Sequence, residues 1–275
     1  MKIVSLIDNI SFNKNLYTEH GLSLYINYNN LNILFDTGSS SKFIKNAYKL
    51  NIDIKDIDLV IISHAHYDHT NGLRDFLSIN TKATIYLKDS CKYELYSKKN
   101  KFYKYIGMDL ELFNLYKNRF KFISDDFKIN NNLYILSNIS KTHDYSITQN
   151  KLFILYGNNL TRDKFDHEII LTLEENDELT VITGCGHNGI SNMIETVYKK
   201  FPKKDINTII GGFHLKDLNI YDNYDFLFSF AQRLNSYNIK NIYTCHCTGY
   251  KNYLQLNSKF NTNIKYLSTG DNIII

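Results

Sequence analysis

Ser63-His64-Ala65-His66-Tyr67-Asp68-His69 follows directly on the apolar run Ile57-Asp58-Leu59-Val60-Ile61-Ile62, and the reading of this junction decides the fold. Three imidazoles and one carboxylate this close together form a donor set suited to zinc, iron or manganese. On extended backbone His64 and His66 point to the same side and can pinch one ion. Asp68 and His69 fall where the chain turns into a helix, so they can reach a second ion beside the first. A histidine-rich surface loop is the bland alternative. H-x-H-x-D-H behind a buried strand is far rarer than scattered histidines, which favours the metal reading.

The chain has 275 residues, 43% of them hydrophobic, enough for a substantial core. A single proline, Pro202, and the lack of any Gly/Ser linker or repeat give one domain over residues 1–275. A net charge of +4 would help a small anionic substrate approach but falls short of a nucleic-acid footprint. The apolar run Ile3 to Ile7 is too short for a signal-peptide core and is broken at Asp8, and no segment is long enough to span a bilayer. No nucleic-acid or membrane partner is expected, and the expected compartment is the cytoplasm. Cys91, Cys185, Cys245 and Cys247 show no C-x-x-C spacing, in keeping with reduced thiols.

Gly21 to Phe35 reads as a hairpin around Asn29-Asn30, followed by Asp36-Thr37-Gly38 and a helix carrying Phe43, Ala47 and Leu50 on one side. After the metal cluster come a helix from about Thr70 and a strand from Ala83 to Leu87. A Tyr/Lys-rich excursion at about 91–124 reads as a solvated helical insert with aromatic packing, the alternative being a basic, aromatic lid over the metal site. Farther on, the strand Leu179 to Thr183 ends in Gly184-Cys185-Gly186-His187, the strand Ile206 to Ile210 in Gly211-Gly212-Phe213-His214, and the strand Ile239 to Thr244 in Cys245-His246-Cys247-Thr248-Gly249. Helices are expected over 190–201 and 222–237. Three successive strands thus end in a histidine, which gathers distant side chains at one sheet edge.

A lone histidine at a strand end is usually structural, but a half-built two-metal site needs further ligands. His187, between glycines that let the backbone approach closely, and His214, after Gly211-Gly212, are the candidates. His246 is open between ligand, substrate contact and structural residue. His20, His143 and His167 lack this setting and read as surface or supporting groups. Cys185 reads as a buried thiol before a soft ligand.

With Phe35-Asp36-Thr37-Gly38 and these Gly-flanked histidines, the cluster resembles the metallo-β-lactamase-fold superfamily over nearly the whole chain. Glu19-His20-Gly21-Leu22-Ser23, Thr183-Gly184-Cys185-Gly186-His187, Gly211-Gly212-Phe213-His214-Leu215 and His246-Cys247-Thr248-Gly249 look like its dihydropteroate-synthase-related branch. That branch includes archaeal proteins assigned as 7,8-dihydropterin-6-methyl-4-(β-D-ribofuranosyl)-aminobenzene-5′-phosphate synthase. The resemblance implies an α/β fold, an αββα sandwich, with two divalent metal ions, zinc first and iron or manganese as alternatives. It implies a first ion on His64, His66 and His187, a second on Asp68, His69 and His214, and Asp36 hydrogen-bonded to a ligating imidazole. Many relatives carry a bridging aspartate where this chain has Gly184-Cys185-Gly186.

On this reading the leading expectation is a metallohydrolase that uses a metal-bound hydroxide on a small anionic ester, phosphoester or lactone. Asp68 would orient the nucleophile or carry its proton, and His246 and Thr248 would meet a phosphate or similar oxyanion. The alternatives are a transferase joining a dihydropterin methyl diphosphate to an arylamine ribosyl phosphate, and a metal-dependent ligand sensor without turnover.

Overall fold

The computed structural model describes residues 1–143, 151–216, 218–219 and 221–275. In chain order the strands begin with β1 (Lys2–Ile7), β2 (Ser23–Tyr28), β3 (Leu31–Phe35), β4 (Leu59–Ile61), β5 (Thr84–Lys88), β6 (Glu94–Lys99), β7 (Phe102–Tyr105), β8 (Phe120–Ile123) and β9 (Phe127–Asn130). They continue with β10 (Leu133–Leu136), β11 (Leu152–Tyr156), β12 (Asn159–Arg162), β13 (Ile170–Glu175), β14 (Glu178–Ile182), β15 (Asp205–Gly211), β16 (Asn241–Thr244), β17 (Ile264–Tyr266) and β18 (Asn272–Ile274). The helices are α1 (Lys42–Lys49), α2 (Tyr67–Thr70), α3 (Leu73–Ile79), α4 (Leu112–Leu115), α5 (Ile190–Lys200), α6 (Tyr224–Ser236) and α7 (Tyr250–Phe260). Among the described residues no helix is long and apolar enough to cross a membrane.

The chain divides into two compact units, the first made of Met1–Ser124, Asn150–Glu168 and Leu267–Ile275, the second of Asp125–Gln149 and Ile169–Tyr266. The first holds a sheet in the order β18-β1-β2-β3-β4-β5-β8. Pairing is antiparallel from β18 to β3 and parallel from β3 to β8. The expected β2–β3 hairpin forms on Asn29 and Asn30, whose φ values of 48° and 62° suit a turn that follows strand twist. The parallel steps require crossovers, which α1 supplies from β3 to β4, α3 from β4 to β5, and the stretch holding β6, β7 and α4 from β5 to β8. Phe43 and Ala47 on α1 and Leu73, Phe76 and Leu77 on α3 pack with Leu34, Val60, Ile62, Ile85 and Leu87 of the sheet. Burial of each large side chain contributes about 1.5–3 kcal/mol.

Where α3 begins, a Cβ on Gly72 would lie 2.1 Å from the Thr37 carbonyl oxygen and 2.6 Å from the Phe43 ring. Thr37 in turn donates its N–H to the His69 carbonyl at 2.7 Å. Gly72→Ala is therefore expected to destabilise the protein by about 3 kcal/mol, read as a lower denaturation midpoint. An unchanged midpoint would show that this contact yields without cost.

The excursion at 91–124 differs from its helical reading. It forms the hairpin β6–β7, turned at Asn100 (φ 57°), and joins a four-stranded sheet in the order β12-β11-β6-β7. Tyr, Phe and Lys there line a pleated surface: Tyr96 packs edge-on against Tyr105, and Tyr103 against Phe153. The hairpin then returns to the histidine cluster. His66 and Gly107 form an isolated bridge, and the Tyr67 N–H donates to Ile106 O at 2.9 Å. The expected helical character survives only in short pieces, the four-residue α4 and the 3-10 turns Asp89–Lys92 and Lys117–Arg119.

The second unit repeats the scheme with the order β17-β16-β15-β14-β13-β10-β9, antiparallel from β9 to β14 and parallel from β14 to β17. Helices α5, α6 and α7 follow β14, β15 and β16. Ile190, Met193, Ile194 and Val197 of α5, with Leu227, Ala231 and Leu234 of α6, pack with Leu179, Val181 and Ile209. As in the first unit, the turns after parallel strands carry the polar residues of interest, where open α/β sheets hold their sites.

Candidate metal centre

Asp36 leaves β3 with φ 59° and a fully buried carboxylate. Its Oδ1 accepts the Ser63 N–H at 2.8 Å, and its Oδ2 accepts the Ser63 hydroxyl and faces His69 Nδ1, each at 2.7 Å. An ionised carboxylate only accepts, so His69 carries its proton on Nδ1 and offers Nε2 as its ligand atom. The Ser63 hydroxyl, having donated to Asp36, accepts from His64 Nδ1 at 2.8 Å, which assigns His64 Nε2 the same part. One carboxylate thus sets two rings, the second through a serine.

The His64 ring centroid lies 4.7 Å from that of His66 and 4.1 Å from that of His69. Burial drives the His66 pKa down to about 3, so His66 is the neutral imidazole a metal requires. Asp68 Oδ2 lies 3.1 Å from His20 Nε2 and 4.0 Å from His69 Nε2. His20 is therefore a neighbour of Asp68, although its own side chain is 40% exposed. The backbone is clamped as well: Leu22 N–H donates to Asp68 O, and the Thr37 N–H and hydroxyl donate to His69 O.

In the second unit His187, His214 and His246 follow β14, β15 and β16. His187 and His214 have ring centroids 4.2 Å apart. His214 and His246 hold left-handed backbone, φ 50° and 47°, a conformation that side-chain-bearing residues keep only where the surroundings impose it. Cys247 Sγ lies 3.2 Å from Cys185 O and accepts the His214 N–H at 3.3 Å. A Cβ on Gly212 would fall 2.3 Å from that sulfur, so only glycine lets the three turns meet there. Cys185, His214 and Cys247 offer ligand atoms within 4.8 Å of one another.

The Thr248 hydroxyl, expected at a substrate, is fully buried. It accepts the Phe213 N–H at 2.8 Å and pairs with Thr244 Oγ1, which ties the His214 turn to the His246 turn. His143 lies against Glu195 and Arg233. His167 is not a surface group: it is fully buried, pairs with Asp163 at 3.0 Å, and stacks on His64 with centroids 6.0 Å apart. Sequence reasoning passed over Asp163, Ser63 and Cys247. The i,i+4 spacing of Asp163 and His167 was the one available sign of the first.

The donor chemistry suits divalent ions in both units: the Nδ1-anchored His64 and His69, the neutral His66 and a carboxylate in the first, imidazoles with thiols in the second. Residues 16–201 match the metallo-beta-lactamase superfamily. The chain belongs to that superfamily. A solved structure described as Tm1679, a metal-dependent hydrolase of the beta-lactamase superfamily, is 30% identical and superposes with a TM-score of 0.83, covering 100% of this chain and 99% of that one. Zinc-bound PqqB from Methylobacterium extorquens, 11% identical with a TM-score of 0.58 and full coverage of both chains, shares the fold. Among curated relatives, the 7,8-dihydropterin-6-methyl-4-(beta-D-ribofuranosyl)-aminobenzene-5′-phosphate synthase of Methanocaldococcus jannaschii is 27% identical over 98% of this chain and 95% of its own length. An uncharacterized protein of the same organism is 29% identical over 90% of each. The expected metallo-β-lactamase-like fold and the resemblance to the synthase branch are both met.

Proposed function

We propose that this superfamily member is a metallohydrolase acting on a small anionic ester, phosphoester or lactone. On the superfamily resemblance, two divalent ions, zinc in the first instance, would take His64, His66 and His187 and Asp68, His69 and His214 as ligands. The observation that carries this reading is the Asp36 carboxylate, which anchors His69 directly and His64 through Ser63, each by Nδ1. Such outer hydrogen bonds are what fix ring orientation in metal sites. When bound, such ions would supply Lewis acidity and activate water near neutral pH. Asp68, 3.1 Å from the half-exposed His20, would take a proton and return it toward solvent. The positive net charge favours an anionic substrate. The 27% identical synthase supports a second reading, coupling of a dihydropterin methyl diphosphate to an arylamine ribosyl phosphate with diphosphate as the leaving group.

Metal analysis of the purified protein, followed by a screen of phosphoesters, lactones and pterin diphosphates in ¹⁸O-labelled water, tests the proposal. Two metal equivalents and heavy oxygen in a product support hydrolysis. Turnover only with an added arylamine, and no label in the coupled product, supports transfer. Tight ligand binding without turnover would leave a sensor.

His246 lies at the end of the third parallel strand of its sheet, with strained backbone and a buried ring, and we assign it to the substrate's oxyanion. His246→Ala is expected to keep both metals and to raise KM or lower kcat about tenfold or more, most of all for phosphorylated substrates. Loss of one metal equivalent from the folded variant would make His246 a ligand and displace His214 from that role.

A further inference from the structure

A buried Asp–His pair lies against the H-x-H motif in the first unit. The Asp163 and His167 side chains are 1% and 0% exposed, with Asp163 Oδ2 3.0 Å from His167 Nε2. Asp163 Oδ1 accepts the Phe165 N–H at 2.7 Å, and Phe165 holds φ 57° with its ring 6.4 Å from that of His66. Burial works to raise the Asp163 carboxyl, yet its pairing with His167 and the Phe165 N–H hold it below the usual range, so it is a carboxylate. A carboxylate only accepts, which puts a proton on His167 Nε2. Burial works to lower the His167 pKa and the same carboxylate pulls it up, but the Ala65 N–H facing Nδ1 is itself a donor, so the ring that fits this geometry is the neutral one with Nδ1 as acceptor. That nitrogen accepts the N–H of Ala65, the residue between His64 and His66, at 3.3 Å. The same ring stacks on His64 at 6.0 Å and 21° and meets His66 edge-on at 5.6 Å.

We propose that Asp163 and His167 are positioning residues that fix the peptide between His64 and His66 and set both rings for metal binding. This rests on the reading of His64 and His66 as ligands. Asp163 fixes the tautomer, the tautomer fixes the hydrogen bond to Ala65, and that bond together with the stacked ring limits how the two imidazoles can turn. No covalent step is involved. A rival assignment uses the same side chains as ligands, since His66, Asp163 and His167 offer donor atoms within 4.8 Å of one another, a two-histidine, one-carboxylate set.

The test titrates the metal-free full-length protein with zinc and with cobalt(II) against a competing chelator, and records the cobalt absorption spectrum. The variants are His66→Ala, His167→Ala, His167→Asn and Asp163→Asn, with thermal unfolding as the folding control. His66→Ala is expected to lose a metal equivalent. His167→Ala and Asp163→Asn are expected to keep the stoichiometry, bind about 10- to 100-fold more weakly and shift the cobalt bands. His167→Asn, whose side-chain oxygen takes the place of Nδ1 and can accept the Ala65 N–H, is expected to recover part of the loss. Should His167→Ala fail to fold, the smaller change Asp163→Asn carries the test. If His66→Ala lowers binding while both dyad variants match the wild type, the positioning role is overturned and the ligand reading survives. Unchanged binding in His66→Ala overturns both. Loss of a whole equivalent in folded Asp163→Asn shows that the dyad ligates an ion and overturns the positioning role.

Discussion

Asp68→Ala is expected to fold normally and to lose about 10²- to 10⁴-fold in kcat/KM, the contribution of a positioned proton carrier. The loss of stability should be small beside the loss of activity, because the carboxylate lies against the rings of His20 and His69, the first of them 40% exposed and able to turn to water. The chemistry should be strongly affected because Asp68 is assigned both a place on the second ion and the reaction's proton. Asp68→Asn separates the two duties: an amide oxygen can still ligate but cannot take a proton at neutral pH. Steady-state kinetics on metal-quantified samples decide the matter. If Asp68→Ala with its full metal complement turns over like the wild type, Asp68 has neither duty.

Asp36→Ala should show the largest loss of stability, about 3–5 kcal/mol, the usual consequence of removing one partner from a buried ionic cluster. Three donors converge on that carboxylate, the Ser63 N–H, the Ser63 hydroxyl and His69 Nδ1, and all lie in residues with no exposed surface. Each left without an acceptor adds a desolvation penalty. Asp36→Asn keeps the shape but sets an amide N–H₂ among donors, which favours the wrong His69 tautomer. Metal affinity should fall about 10- to 100-fold in that variant even where folding survives. Denaturant midpoints and chelator-competition titrations give the two numbers independently, and an Asp36→Asn protein matching the wild type in both would show that Asp36 holds no ring in place.

What was legible in the sequence was local. The H-x-H-x-D-H run follows directly on its own strand, and the glycines before His187 and His214 mark turns at strand ends whatever the rest of the chain does. Asp36 was legible only through family resemblance, since its contacts with Ser63 and His69 cross from β3 to the turn after β4. Asp163 and His167 were not legible because their surroundings exist only once Asn150–Glu168 joins the first unit, far along the chain from residues 64–66. The β6–β7 hairpin was misread for a different reason. Lys98-Lys99-Asn100-Lys101 interrupts the alternation with a turn made of lysines and asparagine, so neither helical nor strand spacing stands out. Thr248 followed an inviting histidine, but its hydroxyl had a backbone partner, the Phe213 N–H, in another turn.

The first sheet closes on a strand from the far end of the chain: β18 pairs with β1 in register from Lys2↔Ile274 to Val4↔Asn272, and the Met1 amino group donates to Ile275 O at 2.8 Å. During synthesis β1 therefore leaves the ribosome with β2 to pair with but with its other edge uncovered, and it stays so until some 260 further residues have been made, about 13–50 s at 5–20 residues per second. Contacts of such separation slow folding and leave an apolar edge open to other nascent chains. The second unit, whose strands lie between, can complete its own hydrogen-bond ladder before β18 is made, so the sheet that is begun first is the last to be closed.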